Sequence, residues 1–203
     1  NFRNLEMVDI SNAKIKAYRG PFGTNEGYLM DYAENTIPCG WFFYWGANLL
    51  REFPIELYDE GSSSIKKVVL PDNIVDIDMN AFARTYNLSE INIPEGVTNI
   101  GKHVFRYCKS VEKLYLPSTL RTVGWIAFTE MTSLKEVHIK ANKAPEGDDL
   151  FGYYPDNADG VRGQVYIGDP NYVTKTDAIL YVPKGCSNNY KSWERYFQKI
   201  IEE

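Results

Sequence analysis

The sequence is poor in the residues that most often carry chemistry. It contains two histidines, His103 and His138, and three cysteines, Cys39, Cys108 and Cys186. The cysteines are odd in number, widely scattered, and without a C-x-x-C pair or an adjacent histidine. That pattern excludes a disulfide framework of even count and a zinc-finger arrangement, while leaving one bridge open. No G-x-S-x-G, Walker-type or G-x-G-x-x-G segment occurs, so acyl transfer, nucleotide hydrolysis and dinucleotide binding have no motif to rest on. Neither histidine has a predictable Ser or Cys nucleophile beside it. Carboxylates are plentiful, but nothing selects a glycosidase pair among them. The expectation is a non-enzyme with no catalytic residue, no metal ligand and no cofactor.

Two further absences narrow the partners. There is no cationic excess: 22 Lys and Arg against 27 Asp and Glu give a net charge of −5, which disfavours nucleic acid. There is no run of about 18 apolar residues, so no transmembrane helix is expected and no membrane insertion by this chain. The first residues, Asn1-Phe2-Arg3-Asn4, lack a Met and a signal-peptide pattern, and read as a processed or trimmed start. Apolar residues nevertheless make up 44% of the chain, enough for a packed core and too much for a disordered one.

What is present is repetition. Ile65-Lys-Lys-Val68-Val-Leu70-Pro71 runs on through Ile74 and Ile77 to Ala81-Phe82. Leu88-Ser-Glu-Ile91-Asn-Ile93-Pro94 runs on through Val97, Ile100 and Gly101 to Val104-Phe105. Val111-Glu-Lys-Leu114-Tyr-Leu116-Pro117 runs on through Leu120, Val123 and Gly124 to Ala127-Phe128. Each begins 23 residues after the last, a fourth copy opens at Leu134, and Leu50–Ile55 reads as a degenerate earlier one. Alternation in Ile91-Asn92-Ile93 predicts a short strand with one face inward. Pro94 ends its ladder, since proline donates no backbone hydrogen bond. The spacing of Val97 and Ile100 predicts a short helical or 3₁₀ return. One such coil cannot bury enough to fold alone, so successive coils must stack, their strands forming one parallel sheet.

Stacking in register turns outward positions into columns. One column reads Val69, Asn92, Tyr115, His138, and these residues are the candidate binding surface. Its neighbour reads Lys67, Glu90, Lys113, Glu136, an alternation that places opposite charges side by side. Trp125, in the column of Met79 and Lys102, is a further binding candidate on the return side.

The pattern L-x-x-I-x-I-P-x-x-V-x-x-I-G-x-x-x-F at this period resembles the BspA-type leucine-rich repeats of bacterial surface proteins. Cys108 matches that family's F-x-x-C column. The run Leu180-Tyr181-Val182-Pro183-Lys184-Gly185-Cys186, with Tyr190, Trp193, Phe197 and Ile200, resembles its terminal segment. The resemblance covers about residues 46–203. It implies an α/β repeat solenoid, a right-handed leucine-rich-repeat superhelix. It also implies a cell-surface or secreted adhesion module whose partner is a host or bacterial protein. A carbohydrate-binding module or a structural spacer are the alternatives.

Three parts follow. Residues 1–45 depart from the repeat and read as an N-terminal cap or flanking segment; the aromatic run Trp41–Trp45 is either part of that cap or a platform for sugar rings. Residues 46–140 hold the repeats. Residues 141–203 hold a divergent last repeat, with an acidic insertion read as a solvated loop lacking EF-hand spacing. They close with a predicted terminal helix over 187–201, capped by Ser187, whose Tyr190, Trp193, Phe197 and Ile200 share one apolar face.

Overall fold

The structure is a computed structural model that describes residues 5–20, 30–41, 64–153 and 175–203. In chain order the strands are β1 (Met7–Asp9), β2 (Tyr18–Gly20), β3 (Met30–Tyr32), β4 (Thr36–Ile37), β5 (Lys67–Val69), β6 (Asp76–Ile77), β7 (Glu90–Asn92) and β8 (Asn99–Ile100). They continue as β9 (Lys113–Leu116), β10 (Thr122–Val123), β11 (Phe128–Thr129), β12 (Glu136–Ile139), β13 (Phe151–Gly152), β14 (Ile179–Val182) and β15 (Lys199–Glu202). The Leu50–Ile55 copy, aromatic residues 42–45 and most of the acidic insertion lie outside the described residues.

The alternating pattern puts Val68, Leu114, Val137 and Leu180 into the core, while Lys67, Glu90, Lys113 and Glu136 face outward. Parallel pairing holds each column in register: Val68 with Ile91, Leu114 with Val137, and Val137 with Leu180. A second parallel sheet, in the order β10-β8-β6-β4, runs along another side of the coil. Between the sheets lies a ladder of stacked rings, Phe82–Phe105–Phe128–Phe151, with centroids 5.3, 5.8 and 4.8 Å apart. Trp193, Tyr196 and Phe197 close its end by meeting Phe151 at steeper angles.

Several expectations need correction. The returns in the described residues are turns and two-residue strands, not short helices. The reason is left-handed positions recurring from coil to coil, two in each of three successive coils and one in the next. Asn80, His103, Ile126 and Asp149 have φ of 59°, 60°, 48° and 49°, and Arg84, Tyr107 and Glu130 have φ of 60°, 65° and 61°. A helix cannot propagate through such residues. Their cost is offset by inter-coil hydrogen bonds: the N–H groups of Asn80, Phe82 and Arg84 donate to the carbonyls of Lys102, Val104 and Arg106, and the next coil repeats the pattern.

The strand side is two sheets rather than one, β1-β5-β7 and β15-β14-β12-β9. No ladder joins β7 to β9, and Ile91 is only half-buried there. The return sheet and the common core carry the stack across that break.

The N-terminal segment lays down a coil of its own. β1 pairs in parallel with β5 and β4 with β6, the antiparallel hairpin β2–β3 being inserted between them. The period also persists past residue 140 on the return side, where Glu146, Leu150 and Phe151 pair with the coil before.

The C-terminal segment is not one helix. Ser187–Trp193 is a 3₁₀ segment kinked at Tyr190, and Lys199–Glu202 adds a strand to β14. Open backbone groups at the β14 edge and the β-branched pair Ile200-Ile201 outweigh the helical spacing. Ser187 does not cap: Cys186 holds that position without a capping side-chain bond, and the Ser187 N–H donates to Glu202 Oε1 at 3.0 Å.

Candidate functional site

The strand register decides which outward residues meet. Tyr115, His138 and Tyr181 stand opposite one another on β9, β12 and β14. Their rings stack: Tyr115 lies 4.9 Å from His138 at 17°, and His138 lies 4.4 Å from Tyr181 at 5°. His138 is pinned in its plane as well as between faces. Its Nε2 is 3.0 Å from Glu136 Oε2 and its Nδ1 is 2.9 Å from Glu203 Oε1. Glu136 also receives Lys113 Nζ at 2.9 Å. The hydrogen bonds from His138 first, and Lys113 second, hold the Glu136 carboxyl below its usual range, and the bond to Glu136 in turn raises the Lys113 ammonium. The result is a fixed aromatic platform rimmed by two carboxylates and an ammonium, with Tyr115 still 49% exposed.

Val69 and Asn92 are opposite each other on β5 and β7, next to Asp9 on β1. They extend the outward face on the neighbouring sheet, across the break. The charge column is accordingly two separate pairs, Lys67–Glu90 at 2.8 Å and Lys113–Glu136 at 2.9 Å, rather than one unbroken ladder.

Trp125 is not part of this face. It is half-buried on the return between β10 and β11, its ring 5.5 Å from His103 and its carbonyl accepting the His103 N–H. His103 is also held by burial, and its Nε2 has no hydrogen-bond partner. Burial first, then the charges of Arg106 and Lys102, pull its imidazole down to about 4. Neither histidine is hydrogen-bonded to a Ser, Thr or Cys side chain among the described residues. Cys39, Cys108 and Cys186 form no disulfide with one another; Cys108 is fully buried and its Sγ donates to the Phe82 carbonyl at 3.2 Å. No group of metal-ligating side chains occurs among the described residues. No helix of the described residues is long and apolar enough to cross a membrane.

Sequence reasoning missed Tyr181. It belongs to the Tyr115–His138 column, but the insertion after the fourth copy removes it from the 23-residue frame. The alternation Ile179-Leu180-Tyr181-Val182 was the available signal, since it marks Tyr181 as outward-facing.

Parallel strands stacked coil upon coil over one continuous core define a repeat solenoid. Residues 58–155 match the BspA type leucine rich repeat region, in six copies. No curated protein matches the sequence. Leucine-rich-repeat domains generally mediate protein interactions and are generally non-catalytic, and the BspA type is typically associated with bacterial surfaces.

Proposed function

We propose that this chain is a non-catalytic protein-binding module of a bacterial cell-surface or secreted adhesion protein. Its contact surface is the outward sheet face centred on Tyr115, His138 and Tyr181, with Val69 and Asn92 at its margin. The observation that supports this most is the pinned ring stack. A partner that packs on Tyr115 meets a side chain already ordered by its neighbours, so little rotamer entropy is lost on binding. Tyrosines in such settings are frequent anchors of interface energy. The family and the handedness of parallel crossovers support a right-handed superhelix. No observation favours the glycan reading: Trp41 packs against the core and Trp125 against His103, leaving neither as a free stacking platform.

The test is binding to a panel of immobilised extracellular-matrix proteins by surface plasmon resonance. Tyr115→Ala combined with His138→Ala should weaken the response to the bound member by about 2 kcal/mol or more, with the circular dichroism spectrum unchanged. Unaltered affinity in that variant, or no binding by the wild-type chain, would count against this surface.

A further inference from the structure

A second cluster lies on the return side, away from the ring stack. Arg84, Arg106 and Lys109 surround the Tyr107 ring, their charged ends 5.6, 4.9 and 5.9 Å from its centroid. Lys109 also sits 5.2 Å from the Tyr86 centroid, and Arg106 donates to the Tyr107 hydroxyl at 3.4 Å. All of these residues are half-buried.

Elsewhere among the described residues several cations are paired with carboxylates: Lys66 with Glu6, Lys67 with Glu90, Lys135 with Glu112, Lys140 with Glu95 and Arg195 with Asp149. Others without such a pair, among them Lys102, Arg121 and Lys143, are exposed rather than half-buried. Arg106 and Lys109 form no ion pair with a described residue. Arg106 Nε is buried and has no hydrogen-bond partner. The local field is positive enough for Arg106 and Lys102 to help depress His103. Half-buried cations gathered on tyrosine faces, in a chain of net charge −5, are arranged to receive an anion from outside.

We infer that this patch is a second interaction surface, which receives a short acidic segment of a protein partner. Its carboxylates would reach the Arg106 guanidinium and the Lys109 ammonium. The small extent of the patch favours a short segment over a long polyanion. A nucleic acid or a sulfated glycan chain would overrun it onto the rest of a chain whose net charge of −5 repels a polyanion.

The experiment is fluorescence anisotropy of a labelled hexaglutamate peptide with the full chain, at low and at near-physiological ionic strength. The wild-type chain should bind, more weakly as salt rises. Arg106→Gln with Lys109→Gln should reduce affinity about tenfold, while Lys66→Gln, in an exposed ion pair elsewhere, should leave it unchanged. Lys109→Gln alone, remote from the core, should show a smaller loss in the same direction even if the double variant folds poorly. No binding by the wild-type chain, or equal binding by both patch variants, would overturn the assignment. Binding of heparin but not of the peptide would overturn it too, in favour of a sulfated glycan.

Discussion

His103 shows what a repeat column asks of one residue. It occupies the left-handed slot that Asn80 fills one coil earlier, and asparagine tolerates that backbone better than most residues. Burial and the nearby Arg106 and Lys102 hold its pKa at about 4, against an ordinary value near 6.5. The unfolded chain therefore takes up a proton that the folded chain refuses as pH falls from about 6.5 to about 4. Stability present above that window is lost through it, and no more is lost to this group below it. His103→Asn should retain the backbone and flatten the decline. Thermal melts of both proteins between neutral pH and pH 4 would test it, and parallel curves would refute the account. At the same scale, Tyr115 and His138 were legible as an outward pair from alternation alone. Their stacking with Tyr181 was not, because an insertion separates them in sequence while the sheet reunites them.

Between elements, the coil-to-coil contact is backbone against backbone. A Cβ on Gly101 would lie 2.7 Å from the Met79 nitrogen, and one on Gly124 would approach the Lys102 backbone more closely still. Neither obstacle is the end of a flexible side chain, so the coils must part. Gly101→Ala should cost about 1–3 kcal/mol, the usual penalty for overfilling a packed site, read as a lower urea midpoint. An unchanged midpoint would show that the coils separate easily. The recurrence of Gly101 and Gly124 was visible in the sequence. The left-handed column was not, since His103, Ile126, Arg84 and Tyr107 carry no compositional sign of positive φ. They adopt it because their N–H groups then reach carbonyls of the next coil.

For the whole molecule, the exposed ends of the stack matter most. The Phe ladder ends at Phe151, which Trp193 and Phe197 cover, while β15 pairs with the last strand, β14. The Tyr190 hydroxyl donates to the Ala141 carbonyl at 2.5 Å and ties the 3₁₀ segment to the coil beneath. Removing residues 187–203 would uncover these rings and leave β14 as an open edge, a template for pairing with other chains. Such a truncated protein should aggregate or lose its cooperative melt; a monodisperse, cooperatively melting product would refute the closing role. The terminal segment was legible as an apolar closure, but its conformation was not, because the partner that selects a strand over a helix is the distant β14.

By itself the sequence determined the period, the inward columns, the first three rings of the phenylalanine ladder (Phe82, Phe105 and Phe128) and the outward placement of Val69, Asn92, Tyr115 and His138. These depend on local alternation and on a repeat length, both written directly in the chain. Tertiary structure alone decided the break between β7 and β9, the coil formed by the N-terminal segment, and the turn-and-strand returns. It also joined Tyr181 to the ring stack and gathered Arg106 and Lys109 around Tyr107. Each of these depends on which backbone groups from separate coils find one another, and inter-coil hydrogen bonds and packing settle that.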